Sequence, residues 1–157
     1  MFTSVAIIGR PNVGKSSLFN KLTKSRDAIV SDFPGLTKDR NYGFLNLDDN
    51  KILIIDTGGI VNESDNLKEA ISNQAWSAVE ESSFIILMLD SSENLTKDDL
   101  DILHKLRKLN KNYVIVLNKV DKKTDSLIKN DLQKEGIHNA IEISAEHSKN
   151  LSSLKSC

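Results

Sequence analysis

Eight consecutive residues, Gly9-Arg10-Pro11-Asn12-Val13-Gly14-Lys15-Ser16, have the types and spacing to hold a phosphate chain. The two glycines let the backbone double back without a Cβ clash, so successive N–H groups converge on an anion. Pro11 has no N–H to give, so the donors are expected from Val13, Gly14, Lys15, Ser16 and Ser17. Lys15 is placed to reach β- and γ-phosphates, and the Ser16 hydroxyl to ligate the magnesium that accompanies them. A chance match to this pattern arises in only about half a per cent of chains this long. The apolar run before it and the helical pattern after it decide for a phosphate site.

Three further groups follow in order. Asp56-Thr57-Gly58-Gly59 ends an apolar run; an Asp there can hold magnesium through water, and the Gly59 N–H can meet a γ-phosphate. Four such residues are also ordinary turn chemistry, so their weight comes from following the glycine loop. Asn118-Lys119-Val120-Asp121 closes another apolar run. Asp121 offers two acceptors for the N1–H and exocyclic amine of guanine. Adenine has no such donor pair, and a buried carboxylate left unpaired costs free energy, so the arrangement rejects ATP as well as attracting GTP. Asn118 can tie the loops together, and the Lys119 stem can pack on the base. In isolation the same tetrapeptide is a solvated loop with a helix N-cap. Ser144-Ala145 follows the last apolar run, where a backbone N–H can reach the guanine O6.

The elements that must position these groups are legible in the apolar periodicity. Strands are expected at 3–8, 42–47, 51–56, 84–89, 113–117 and 140–143, and helices at 15–23, about 67–81, 96–109, near 124–134 and from 148. Asp48-Asp49-Asn50 predicts a hairpin, making the second and third strands antiparallel and placing one at a sheet edge. Residues 24–41 hold no period and read as a long functional loop. In the second helix Ala75, Trp76 and Val79 share a face, flanked by Ile71 and Ala78; in the third, Leu100, Leu103 and Leu106 form the stripe. Alternating helices and near-continuous apolar strands predict an α/β fold: a mostly parallel six-stranded sheet with one antiparallel edge strand, covered by helices on both faces.

At 157 residues, 39% hydrophobic and 27% charged, the chain is one soluble-type domain with no internal repeat. A net charge of −1 gives no overall basic field for nucleic acid or anionic membrane. The clusters Lys105/Arg107/Lys108 and Lys122/Lys123 read as solvated faces, and His104, His138 and His147 as surface residues. The only cysteine, Cys157, excludes a disulfide framework. No signal peptide is visible, and the longest apolar run, Phe84 to Leu89, is too short to cross a bilayer. The last helical pattern stops after Leu154, which suggests a domain of a longer protein with its final helix cut short.

These four motifs in order resemble the P-loop GTPases of the translation-factor-like class. Within that class Gly9 to Ser16, Arg26-Asp27-Ala28-Ile29-Val30, Pro34-Gly35-Leu36-Thr37-Lys38-Asp39-Arg40 and Asp56-Thr57-Gly58-Gly59-Ile60 are similar to the first GTPase domain of the Der (EngA) family, bacterial ribosome-assembly GTPases with two tandem domains. The likeness spans residues 3–151. The Era family shares the P-loop but typically has a proline where Gly58 stands. The resemblance implies GTP hydrolysis, a role in maturing the large ribosomal subunit, and a cytoplasmic monomer; direct RNA contact by this domain stays open. It makes Thr37 the loop threonine that completes the magnesium shell and senses the γ-phosphate. Ile60 stands where many such enzymes have a water-orienting glutamine. Asn12 then becomes the residue of interest, because in related GTPases this Asn helps bind a potassium ion in place of an arginine finger. Lys15, Asn12, Thr37 and Gly59 are thus the expected catalytic set. A nucleotide-sensing module with negligible turnover, and an ATP-using P-loop enzyme, are the competing readings.

Overall fold

The computed structural model describes residues 3–23, 41–57, 73–119, 127–145 and 150–155. Six strands form one sheet: β1 (Thr3–Ile8), β2 (Asn41–Leu47), β3 (Asn50–Asp56), β4 (Phe84–Asp90), β5 (Tyr113–Asn118) and β6 (Ile141–Glu142). Their spatial order is β2-β3-β1-β4-β5-β6. Among these strands only the β2–β3 hairpin is antiparallel, and β2 is one of the two edge strands; the turn is Asp48-Asp49, because Asn50, expected in it, already pairs with Leu47. The helices are α1 (Lys15–Leu22), α2 (Asn73–Glu81), α3 (Lys97–Lys108), α4 (Ile128–Lys134) and α5 (Leu151–Lys155).

Because side chains alternate along a strand, the central strands feed two cores. One face sends Ala6, Ile8, Leu53, Ile55, Ile85, Leu87, Leu89, Ile115 and Leu117 against Ala78 and Val79 of α2, Ile102, Leu103 and Leu106 of α3, and Ile128 and Leu132 of α4. The other sends Val5, Ile7, Ile54, Ile86, Met88, Val116 and Ile143 against Leu18, Phe19 and Leu22 of α1 and Leu151 and Leu154 of α5. Covering both faces is what makes these strands read as unbroken apolar runs.

The differences from the sequence reading are local. In α3 the buried stripe is Asp99, Ile102, Leu103 and Leu106; Leu100 is only half-buried. A buried Asp displaces a leucine because it has two partners, described below. Trp76 is half-buried at the core margin, with Lys105 Nζ 4.3 Å from its ring centroid. The sixth strand is two residues long, and α4 starts at Ile128. The long loop expected after α1 lies outside the described residues.

Parallel register brings the strand ends to one edge. Ile7 pairs with Asp56, Ile8 with Leu87, and Asp90 with Asn118. The carboxyl ends of β1, β3, β4 and β5 thus converge where an open α/β sheet carries its ligand site.

Candidate functional site

The glycine loop leaves β1 at Gly9, where an added Cβ would lie 2.6 Å from the Met88 carbonyl oxygen. It enters α1 through Gly14, whose φ of 106° and ψ of 22° are left-handed. No side chain caps α1, and no acidic residue stands in its first turn. By contrast α3 carries a full capping box, Thr96 with Asp99. An uncapped helix start leaves N–H donors and the positive end of the helix dipole for an outside anion. Lys15 is buried beneath the loop, its Nζ donating to the carbonyls of Gly9 (2.8 Å) and Arg10 (2.7 Å). Burial pulls its pKa from 10.5 down to about 8, against the pull of Asp56 and with some help from Arg10. A phosphate chain would restore the charge that burial opposes.

Across the sheet edge, Ser16 Oγ donates to Asp56 Oδ2 at 3.2 Å. One hydroxyl and one carboxylate, both hard oxygens, suit magnesium, which is held by few protein ligands plus phosphates. Among the described residues no group of three or more His, Cys, Asp or Glu is gathered as an all-protein cage. Thr57, next to Asp56, donates its hydroxyl to the Ile7 carbonyl at 2.7 Å and so ties the two strand ends. The sequence gives no signal for that bond.

The other side of the site is knit by Asn118. Its Nδ2 donates to the Val13 carbonyl (2.8 Å), and its Oδ1 accepts the Ala145 N–H (2.9 Å). One buried side chain therefore joins the glycine loop, β5 and the segment after β6, as the sequence reading expected. Of the Ser144-Ala145 backbone, where an N–H was expected to reach the guanine O6, the Ala145 N–H is donated to Asn118 here. Ser144 is buried, and its Oγ has no hydrogen-bond partner among the described residues. Lys119 Nζ donates to the Asn12 carbonyl (2.7 Å) and pairs with Asp90 Oδ2 (2.9 Å). Asn12 and Ser17 are exposed at the mouth of the loop, and Val13 is buried under it. Burial alone would raise the Asp90 pKa, but hydrogen bonds from Ser92 and Lys119 outweigh it and hold the carboxyl below its ordinary value. Thr37, Gly59, Ile60 and Asp121 lie outside the described residues.

Sequence reasoning missed how the loop is anchored. Arg10 Nε donates to Asp99 Oδ1 (2.8 Å) and its NH2 group to Glu93 Oε2 (3.0 Å). Burial works against the Arg10 charge, and these two carboxylates more than offset it, raising its pKa. Asp99 also accepts the Thr96 N–H at 3.0 Å, so one carboxylate both caps α3 and holds the loop. The Thr-x-x-Asp pattern could have signalled the cap, but nothing local marks Arg10 as its partner. Asp99→Ala is expected to lower stability by about 2–3 kcal/mol, since it removes a cap and strips a part-buried guanidinium of its main partner. A urea titration monitored by circular dichroism reads this directly.

Residues 4–119 match the model of the 50S ribosome-binding GTPase family. GTPase Der of Stenotrophomonas maltophilia is 41% identical over 155 residues, which cover 98% of this chain and 33% of the relative. The chain thus spans about a third of the length of the curated relatives it matches. Among solved structures, Era in complex with MgGDPNP and nucleotides 1506–1542 of 16S ribosomal RNA superposes with a TM-score of 0.76 at 32% identity, covering 99% of this chain and 55% of that one. The G domain of the T. maritima FeoB iron transporter gives 0.70 at 27% identity, covering 99% and 96%.

Proposed function

The chain belongs to the 50S ribosome-binding GTPase family, and from that premise we propose that it binds GTP with magnesium, hydrolyses it to GDP and phosphate, and acts as a nucleotide switch in assembly of the large ribosomal subunit. The observation that carries this reading is Asn118, which joins the glycine loop ahead of the uncapped α1 to the segment after β6 through two buried hydrogen bonds.

In this reading the N–H groups of Val13 to Ser17 and the Lys15 ammonium hold the phosphates. Ser16 and Asp56 would hold magnesium, and Thr37 would be the further ligand that the family resemblance implies. When bound, the ion would supply charge neutralisation at the phosphate oxygens. Thr37 and the Gly59 N–H hold the γ-phosphate, and its loss releases both loops. Asp121 accepts from the guanine edge, while Asn118 and the Lys119 stem fix the plane of the base. Ser144-Ala145 faces the O6 side. Ile60 has no hydrogen-bonding group to orient water, so positioning and charge compensation carry the chemistry. Asn12, exposed at the loop mouth, is the residue to hold potassium there.

Calorimetry with magnesium tests the first step: heat of association is expected for GDP and GTP and not for ATP, and equal heats for GTP and ATP would sink the guanine assignment. Hydrolysis in matched potassium and sodium chloride is expected to be at least about tenfold faster in potassium. Equal rates would remove Asn12 from that role. Single-turnover hydrolysis with and without ribosomal subunits separates a working switch from a sensing module. We propose further that the domain acts in the cytoplasm and as a monomer.

A further inference from the structure

We infer that Asp90 is a positioning residue for guanine-nucleotide binding, acting through Lys119, an inference that rests on the reading just given. Lys119 has a φ of 66°, a left-handed conformation that a long L side chain rarely adopts. Such a conformation is strained and persists only where neighbouring contacts impose it. Among the described residues its side chain is held by two Nζ bonds, to Asp90 Oδ2 at 2.9 Å and to the Asn12 carbonyl at 2.7 Å. Asn12 is itself left-handed, with a φ of 68°. One ammonium group therefore joins two loops that both depart from ordinary backbone geometry.

Asp90 is well placed to govern that ammonium. It is the last residue of β4, buried, and in register with Asn118 on β5. Its other oxygen, Oδ1, accepts the Ser92 N–H at 2.9 Å and the Ser92 hydroxyl at 2.5 Å. Ser91 N–H donates to the Asn118 carbonyl at 2.9 Å, so the turn after β4 is pinned to the strand that presents Lys119. The carboxylate is held from one side and turns its remaining oxygen to Lys119. With the ammonium committed to Asp90 and Asn12, what Lys119 offers a nucleotide is its aliphatic stem, lying between the guanine loop and the glycine loop. Asp90 thereby sets the position of the stem and the carbonyl direction of Asn12 without touching the nucleotide.

The test is the dissociation rate of a fluorescent GDP analogue from wild type, Asp90→Asn, Lys119→Met and the double variant, with thermal midpoints recorded alongside. Wild type must first retain the analogue; if it does not, the guanine-nucleotide reading fails, and the role of Asp90 falls with it. Given retention, Asp90→Asn is expected to accelerate release about tenfold, the scale of one coupled contact. The factor should be equal for GDP and GTP analogues, because the effect lies on the base side. In the Lys119→Met background Asp90→Asn should add nothing. Ser92→Ala, which leaves the carboxylate in place, serves if Asp90→Asn does not fold; it should accelerate release about threefold, again only when Lys119 is present. An unchanged rate in a folded variant, or a full tenfold loss that persists without Lys119, overturns the inference.

Discussion

Gly14→Ala is expected to lower GDP affinity by at least about a hundredfold, and stability by about 2–4 kcal/mol. Two costs coincide at this position. The backbone is left-handed, with a φ of 106°, which strains any residue with a Cβ. The new methyl would also fall well inside van der Waals contact with Asn118 Nδ2. Asn118 must then move, which strands the Val13 carbonyl and the Ala145 N–H that it satisfies. Gly136 separates the two costs. It too is left-handed, at 81°, but nothing lies within 4 Å of an added Cβ there. Gly136→Ala should therefore cost only about 1 kcal/mol and leave nucleotide affinity unchanged. Calorimetry with GDP and urea unfolding of both variants read the outcome. A Gly14→Ala protein that binds GDP within tenfold of wild type would contradict the role assigned to this close approach.

The second large effect concerns Lys15, where nucleotide affinity and the pH dependence of stability are both expected to change. Its pKa in the fold is about 8, below the ordinary 10.5, because burial disfavours the charged form. The unfolded chain then holds this proton up to higher pH than the folded chain does. Stability of the nucleotide-free, metal-free protein should accordingly rise as pH climbs from about 8 towards 10.5. Below pH 8 both states are protonated, and the buried charge costs up to about 3 kcal/mol. Lys15→Met removes that cost but also leaves the carbonyls of Gly9 and Arg10 without their donor, so stability at pH 7 should change little. It also removes the rise with pH. GTP affinity should fall at least about a hundredfold, since charge-assisted bonds to the phosphates are lost. Unfolding curves at pH 7 and 9.5, with calorimetry on the same samples, check both halves. A Met variant much less stable than wild type at pH 7 would show that Lys15 is a structural anchor and that its burial imposes no such cost.

Most of the fold was legible because the relevant signals are local. The run Val5 to Ile8 had to be a doubly covered strand, and the polar residues after Leu47 had to turn the chain back, which Asp48-Asp49 do, Asn50 already pairing in β3. Asn118 was expected to tie loops together, and it does so with both ends of its amide. The α3 stripe was misread at Leu100 and Asp99 because hydrophobic periodicity cannot anticipate a buried carboxylate whose partner lies elsewhere. Thr37, Gly59 and Asp121 stand on sequence reasoning alone.

What the amino-acid order determined by itself is the glycine loop, the strands at 51–56 and 113–117 that lead to Asp56 and Asn118, and the helix that follows the loop. Each depends on neighbours a few residues away, through backbone sterics and side-chain periodicity. Tertiary structure alone decided which charges meet. Arg10 finds Asp99 across 89 positions, and Lys119 finds Asp90 across 29. The chain has 22 acidic and 21 basic side chains, and nothing local chooses among their pairings. Strand order and parallel register make the choice, by bringing the carboxyl ends of β1, β4 and β5 to one edge, where burial makes an unpaired charge costly.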